Sequence, residues 1–227
     1  MSDKKNVELD GEVMIAKAKD YWTKNSKPII AVCAVIILLA GGWLVYKKFF
    51  KEPKEAKANE AIFKAEEYFR MDSVNLALNG DGQHMGFLRV ISKFGGTEAA
   101  NLANFYAGSC YIKLDDNAKA VKYLKEFSTS SKPVQARAYK LLGDAYADLG
   151  KNSDALSNYK KAAHHFEDDK AASSEALFLA AYFADRVMKD TKEAISLYKE
   201  LKEKYPFTQY GSQADTYLAT LGVYNVN

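Results

Sequence analysis

The chain has 227 residues, 48% apolar and 13% aromatic, a composition that supports a hydrophobic core and excludes a mostly disordered protein. Of its 32 basic and 29 acidic residues, nine lysines and five acids fall in residues 1–51, which leaves 23 and 24 for the rest. This larger part is near neutral and lacks the basic surface that nucleic-acid binding requires. We therefore expect no nucleic-acid partner.

Residues 1–27 are predicted to form a charged N-terminal arm. Between Val7 and Asn25 it includes the apolar residues Val13, Ala16, Ala18, Tyr21 and Trp22 among alternating charges. Their spacing fits a short amphipathic helix lying on a membrane face. Gly11 and the acidic residues weaken that pattern, so a solvated tail is an equal alternative.

Residues 28–50 hold the most apolar segment of the chain. Between Ile29 and Tyr46 it reads IIAVCAVIILLAGGWLVY, with no charge in 18 residues. At about 1.5 Å per residue such a helix spans roughly 27 Å, close to the thickness of the bilayer hydrocarbon. A buried core helix of five turns usually keeps a polar face, and this segment has none. We predict a single transmembrane helix, flanked by aromatic residues and lysines.

A cleaved signal peptide is the alternative for this segment. The apolar run is longer than a usual signal core, and no small-residue cleavage site precedes its exit, KKFF. We therefore predict an uncleaved signal anchor. Four lysines lie shortly before the span and five shortly after it, so the charge rule leaves the orientation open.

Residues 51–95 are predicted to form an atypical first helical hairpin. One helix covers Ala56 to Met71, and a second runs through Phe87 to Phe94. The intervening NGDGQHMG lacks the alternating acidic ligands of a calcium loop, and no strand precedes its glycines as in a phosphate loop. It is interpreted as a turn.

Residues 96–206 contain a repeated pattern of small and aromatic residues. The clearest copy has Tyr139, Leu142, Gly143, Tyr146, Gly150, Ala155, Tyr159 and Ala162. Thirty-five residues earlier stand Ala107, Gly108, Tyr111, Ala120, Leu124 and Phe127. A third copy, degenerate in its first helix, has Tyr182, Ala194, Tyr198, Leu201 and Pro206. This pattern resembles the tetratricopeptide repeat, a hairpin of two antiparallel helices.

The predicted fold is therefore all-α. A single transmembrane helix is followed by an α-solenoid of about three to four tetratricopeptide-type hairpins. Residues 207–227 supply a C-terminal capping helix, from Tyr210 to Leu221, and a tail.

The inward positions of the first helices of the hairpins form the candidate protein-binding groove. They are Leu102, Phe105, Ser109, Ile112, Arg137, Lys140, Asp144, Ala147, Leu179, Phe183 and Arg186. Such a groove suits extended or helical apolar segments of other proteins. Repeats that bind acidic C-termini use inward-facing basic residues as a clamp. The pair Lys140 and Asp144 departs from that pattern, so a receptor for acidic C-termini is disfavoured. Phe105 and Phe183 have an alternative role in packing against a neighbouring hairpin.

No catalytic, cofactor or metal site is expected. Adjacent helical residues such as His164 and His165 point about 100° apart and cannot share a metal without further ligands. Cys110 lies on the repeat stripe and is interpreted as a buried thiol. Paired carboxylates or a nucleophile with its base are not evident in the sequence, so we predict that the chain is not an enzyme.

The whole architecture resembles one known family. The arm ending KDYWTKNSKPII, the span ending GGWLVYKKFF and the degenerate repeats are similar to the bacterial ancillary SecYEG translocon subunit (YfgM-like) family. The resemblance implies an inner-membrane protein with a cytoplasmic N-terminus and periplasmic repeats. It also implies partners: the Sec translocon, a membrane-anchored prolyl isomerase and newly exported chains. A scaffold for envelope assembly or cell division is the alternative function.

Overall fold

The computed structural model describes residues 3–224, with side chains from residue 13 onwards. The first two residues of the predicted arm and the last three of the predicted C-terminal tail lie outside this range. The described part is nearly all helical and has no strand, only an isolated antiparallel bridge between Gly80 and Met85. This confirms the all-α prediction.

The chain divides into two compact units, residues 1–54 and 55–227. The first unit contains helix α1 (Asp3–Tyr46), followed by a π-helical turn, Lys47–Lys51. α1 is helical through Pro28, so the predicted arm is helix in its described part. This helical region contains an 18-residue window with a mean hydropathy of 2.6, in which no residue is buried. By length and composition it is a candidate membrane span.

Ten further helices follow in the described part of the chain, and the first of them begins three residues before the second unit does. They are α2 (Glu52–Arg70), α3 (Val74–Asn79), α4 (Phe87–Phe94), α5 (Glu98–Lys113), α6 (Asn117–Glu126), α7 (Lys132–Asp148), α8 (Asn152–His165), α9 (Lys170–Phe183), α10 (Thr191–Lys204) and α11 (Ala214–Thr220). A π-helical turn, Ala184–Met188, follows α9, and a short 3-10 turn precedes α11. α5 with α6, α7 with α8, and α9 with α10 form three successive hairpins.

The N-terminal part of this unit is built around an aromatic cluster. The ring of Tyr106 on α5 lies 5.1 Å from the rings of both Phe69 on α2 and Phe87 on α4. Ala58, Ile62 and Ala65 on α2 are buried in the same core. Aromatic pairs at this spacing add to the stability that burial alone supplies. This cluster joins the atypical first segment to the first repeat.

Two glycines let the helices of their hairpins approach closely. A Cβ atom at Gly108 would lie 2.5 Å from Cγ of Leu124, and one at Gly143 would lie 2.6 Å from the ring of Tyr159. Real side chains do not come so near, so only glycine fits both positions at this spacing. The glycines therefore act as the repeat pattern predicts, as contact points between the first and second helix.

The third hairpin contains one extra residue. In the first two hairpins the turn residue follows the small glycine by seven positions, as Asp115 follows Gly108 and Gly150 follows Gly143. Asp115 and Gly150 have positive φ, 58° and 68°. In the third hairpin the turn residue is Lys189, with φ 59°. Eight residues before it stands Ala181, which is fully buried.

The π-helical turn Ala184–Met188 accommodates that residue, because a π turn adds one residue to an α-helix. When the third copy is aligned without gaps to the first two, the residues of α10 fall at the matching repeat positions. Those of α9 are displaced by one position. This shift explains why the first helix of the third copy looks degenerate in the sequence.

The C-terminal helix covers the end of the third hairpin. Phe178 on α9 packs its ring 5.0 Å from Tyr210 and 5.2 Å from Tyr217. Leu218 is fully buried in the same core, while Asp215 and Thr216 are exposed. A terminal element with one apolar and one polar face is what an α-solenoid needs at its end.

Candidate protein-binding groove

A cavity of about 340 Å³ lies between α7 and α9, the first helices of the second and third hairpins. Its apolar lining comes from Pro133, Ala136, Ala162, Phe166, Ala172 and Ala176. Small alanine side chains on both helices leave this space unfilled. Its charged lining includes Arg137 and Lys140 from α7 and Glu175 from α9. The cavity therefore combines an apolar floor with a charged wall.

Lys140 is the electrostatic link between the two helices. Its Nζ lies 3.5 Å from Glu175 on α9 and 3.8 Å from Asp144 on its own helix. Asp144 in turn accepts a hydrogen bond of 2.9 Å from the hydroxyl of Tyr159. Burial raises the pKa of Asp144 despite the opposing effects of Lys140 and Tyr159. Burial, together with the charge of Asp144, also raises the pKa of Tyr159.

Arg137 differs from the other charged residues of the cavity. Lys140 and Glu175 pair with each other, and Asp169 caps α9 by accepting a bond of 3.1 Å from the backbone N–H of Ala172. Arg137 is exposed and forms no ion pair with any residue in the described part of the chain. Its guanidinium is therefore available to a ligand.

The predicted groove residues of the first hairpin are mostly engaged within the fold. Phe105 is 7% exposed, with its ring 5.2 Å from Phe127. The hydroxyl of Ser109 donates to the carbonyl oxygen of Phe105 at 2.9 Å. Leu102 and Ile112 are partly buried beside these residues. Phe105 also shares a core with Ala138 and Leu142 of the second hairpin, which is the packing against a neighbouring hairpin that the sequence left as an alternative.

The predicted groove residues of α9 reflect the one-residue shift. Phe183 is 8% exposed and packs its ring 5.7 Å from Tyr159 of the second hairpin. Leu179 is half-buried, and Arg186 is exposed, 6.0 Å above the ring of Tyr182. None of these three lines the cavity.

Shifting the α9 register by one residue brings Glu175, Phe178 and Tyr182 to the inward positions of the repeat, and the sequence prediction included none of the three. Of the eleven predicted groove residues, Arg137 and Lys140 lie on the cavity wall. Ala147 is half-buried on α7. The sequence contains a signal for this shift. The small residue of the first helix precedes the alanine of the second helix by twelve positions in the first two copies, but Ala181 precedes Ala194 by thirteen.

The other residues with reactive side chains serve the fold. Burial raises the pKa of Cys110 to about 12, which keeps its thiol protonated. Asp81 organises the turn after α3 by accepting bonds from the backbone N–H groups of Gln83 and His84 and from the hydroxyl of Tyr68. These hydrogen bonds hold the pKa of Asp81 far below its usual value. His165 packs edge-on against the ring of Tyr139 at 5.3 Å.

One group of side chains has ligand atoms close enough to hold a metal ion. Potential ligand atoms of His164, Glu167 and Glu200 lie within 4.8 Å of one another. Nζ of Lys204 lies 2.9 Å from Glu167 and 3.0 Å from Glu200, and His164 lies 2.7 Å from Glu200. The lysine ammonium already supplies the cation for these carboxylates, so the group is better described as an ion-pair network.

Comparison with protein families identifies the repeats. The family model described as tetratricopeptide repeat matches residues 102–130 and 175–208. The two stretches correspond to the first and third hairpins, and the second matched stretch includes the π-helical turn. A comparison with curated proteins finds no match. With three hairpins stacked in the order that the repeat pattern predicts, the chain carries tetratricopeptide repeats, which form a protein–protein interaction module.

Proposed function

We propose that this chain is a membrane-anchored protein-binding module and that the groove along α7 and α9 takes segments of other proteins. The observation that carries the proposal is the cavity between these helices, which has an apolar floor and a charged wall. Cavities of this kind receive the anchor side chains of a partner, while surrounding polar groups fix its position. Tetratricopeptide repeat proteins are generally non-enzymatic scaffolds, in agreement with a binding role.

The anchor in this proposal is α1. The uncharged helical segment Ile29–Tyr46 is long enough to cross a bilayer, and none of its residues is buried. Trp22 and Trp43 stand near the two ends of the span, where aromatic side chains favour the membrane interface. The anchor would concentrate the binding groove near the membrane surface.

The proposed partners are the Sec translocon, a membrane-anchored prolyl isomerase and newly exported chains. The proposed location is the bacterial inner membrane, with the N-terminus cytoplasmic and the repeats periplasmic. The sequence resemblance described above supports these assignments. A scaffold for envelope assembly or cell division has the same fold and anchor, and differs in its partners.

Two reporter fusions test the location, one before Met1 and one after Asn227. We expect the C-terminal reporter to be periplasmic and the N-terminal one cytoplasmic. A cytoplasmic C-terminal reporter would exclude the role in protein export.

A photo-crosslinking amino acid at Ala172 in the cavity tests the partners, with the same amino acid at exposed Lys199 on α10 as the control. We expect translocon subunits and exported chains to be captured from Ala172 and not from Lys199. Capture of cell-division or envelope-assembly proteins instead would favour the scaffold.

A further inference from the structure

The cavity between α7 and α9 is suited to one large side chain. Its volume of about 340 Å³ is near the lower end of the range for ligand sites, roughly 300 to 1,000 Å³. Alanines from α7, α8 and α9 line it, namely Ala136, Ala162, Ala172 and Ala176. An apolar side chain that enters this space gains burial without displacing any protein group.

The charges around the cavity select what stands next to that side chain. The positive charge of Lys140 is balanced by the carboxylates of Asp144 and Glu175. The carboxylate of Asp169 accepts a hydrogen bond from a backbone N–H at the N-terminus of α9. Arg137 alone among the charged lining residues has neither an ion pair nor a capping role in the described structure. A guanidinium presents several N–H donors in a plane that matches the two oxygens of a carboxylate.

We propose that the groove recognises a partner segment in which an apolar anchor side chain is followed closely by a carboxylate, with the anchor in the cavity and the carboxylate on Arg137. This inference rests on the proposed function and adds the chemistry of the bound segment. The carboxylate is that of an Asp or Glu side chain, because Asp144 beside Lys140 disfavours a receptor for chain termini. Its two oxygens match the planar N–H donors of Arg137.

Four pools of synthetic nonapeptides test the proposal, each with one Phe or Leu. In the first three pools this residue is central and the C-terminus is amidated; the next position is Asp or Glu in the first pool, Asn or Gln in the second and Lys or Arg in the third. In the fourth pool the Phe or Leu is the eighth residue, and an Asn or Gln with a free C-terminal carboxylate is the ninth. The pools are incubated with the full chain in detergent micelles, and retained peptides are counted by mass spectrometry after gel filtration.

We expect the first pool to be retained at least about tenfold better than the second, because a charge-assisted pair exceeds a neutral hydrogen bond in strength. Stronger retention of the fourth pool than of the first would show that the groove takes a chain terminus, and would overturn the inference. Arg137→Ala should abolish the preference. Arg89→Ala, at an exposed arginine on α4, should leave it unchanged.

A second pair of variants tests the cavity. Ala172→Trp places a large side chain at the exposed edge of the cavity and should reduce retention of every pool. Ala171→Trp, at the exposed neighbouring position outside the cavity, is the matched control. Equal retention of amide and carboxylate pools, or a preference that survives Arg137→Ala, would overturn the inference and leave the binding function in place. Retention of no pool would count against both.

Discussion

The carboxylate of Glu55 accepts a hydrogen bond of 2.9 Å from the backbone N–H of Glu98, across 43 residues of sequence. Its second oxygen accepts from the N–H of Ala99 at 3.1 Å. These N–H groups belong to the first turn of α5, where helix geometry leaves donors without partners. The start of α2 thereby caps the first helix of the repeats.

Glu55→Ala should destabilise the start of α5. We expect the free energy of unfolding to fall by about 1 kcal/mol, the usual effect of losing a helix cap. Amide hydrogen exchange at Glu98 and Ala99 should accelerate more than elsewhere. Glu60→Ala, at an exposed position further along α2, is the control. The capping role is contradicted by equal exchange at these amides in the two variants.

Gly143→Ala should destabilise the second hairpin, although alanine is the better helix former. The added Cβ would lie 2.6 Å from the ring of Tyr159, and overpacking of this kind costs about 1–3 kcal/mol. Urea unfolding should show a net loss of about 1 kcal/mol, after subtracting the gain in helix propensity. Combined with Tyr159→Leu, the loss should be smaller than the sum of the single losses. Strictly additive losses would refute the close contact as the cause.

Cys110 should resist alkylation in the folded protein. Its pKa of about 12 leaves almost no thiolate at pH 8, and the side chain is fully buried. In a Cys33→Ser background, iodoacetamide should leave Cys110 unmodified until the protein is unfolded, as followed by mass spectrometry. A cysteine introduced by Ser92→Cys, at an exposed position on α4, should react readily. Equal rates at the two positions would show that Cys110 is accessible in the native state.

Glu200 should make a pH-dependent contribution to stability. Burial acts to raise its pKa, but the hydrogen bonds from His164 and Lys204 outweigh burial, so the pKa lies below its ordinary value of 4.5. A carboxyl group with a lower pKa in the folded state stabilises the protein above its unfolded pKa, and this stability is lost as the pH falls through the folded pKa.

Glu200→Gln should therefore lower the free energy of unfolding at pH 7 by about 0.5–1 kcal/mol, a modest effect because the network is partly exposed. The difference from the wild type should vanish as the pH falls well below 4.5. Glu203→Gln, at an exposed position on the same helix, should have no such dependence. A constant difference at all pH values would contradict the ion-pair explanation.

Local repetition explains what the sequence predicted well. The contacts of Gly108 with Leu124 and of Gly143 with Tyr159 join helices within one hairpin, so each repeats at the period of the pattern. The burial of Cys110 follows from its place on the same helical stripe. The all-α class follows from helical spacing along the whole chain.

Contacts between distant elements were harder to predict. The pairing of Glu55 with α5 and of Lys140 with Glu175 depends on how separate helices meet, and the repeat pattern carries no information on either pair. For the groove, the sequence predicted Arg137 and Lys140, which line the cavity, but it also included Phe183, which is buried against Tyr159. That difference arises from the extra residue in the third hairpin, which an ungapped comparison cannot detect.

The π-helical turn Ala184–Met188 also determines how the chain would respond to a change in length. Val187 within it is half exposed, so its side chain contributes little packing, and deletion would look harmless from its burial. Removing one residue here would also restore the seven-residue spacing between the small residue Ala181 and the turn that the first two hairpins have, so the segment would close as a regular α-helix. Phe183 would then keep its contact with Tyr159, and Glu175 its contact with Lys140. The third hairpin can therefore lose one residue, where the first two cannot.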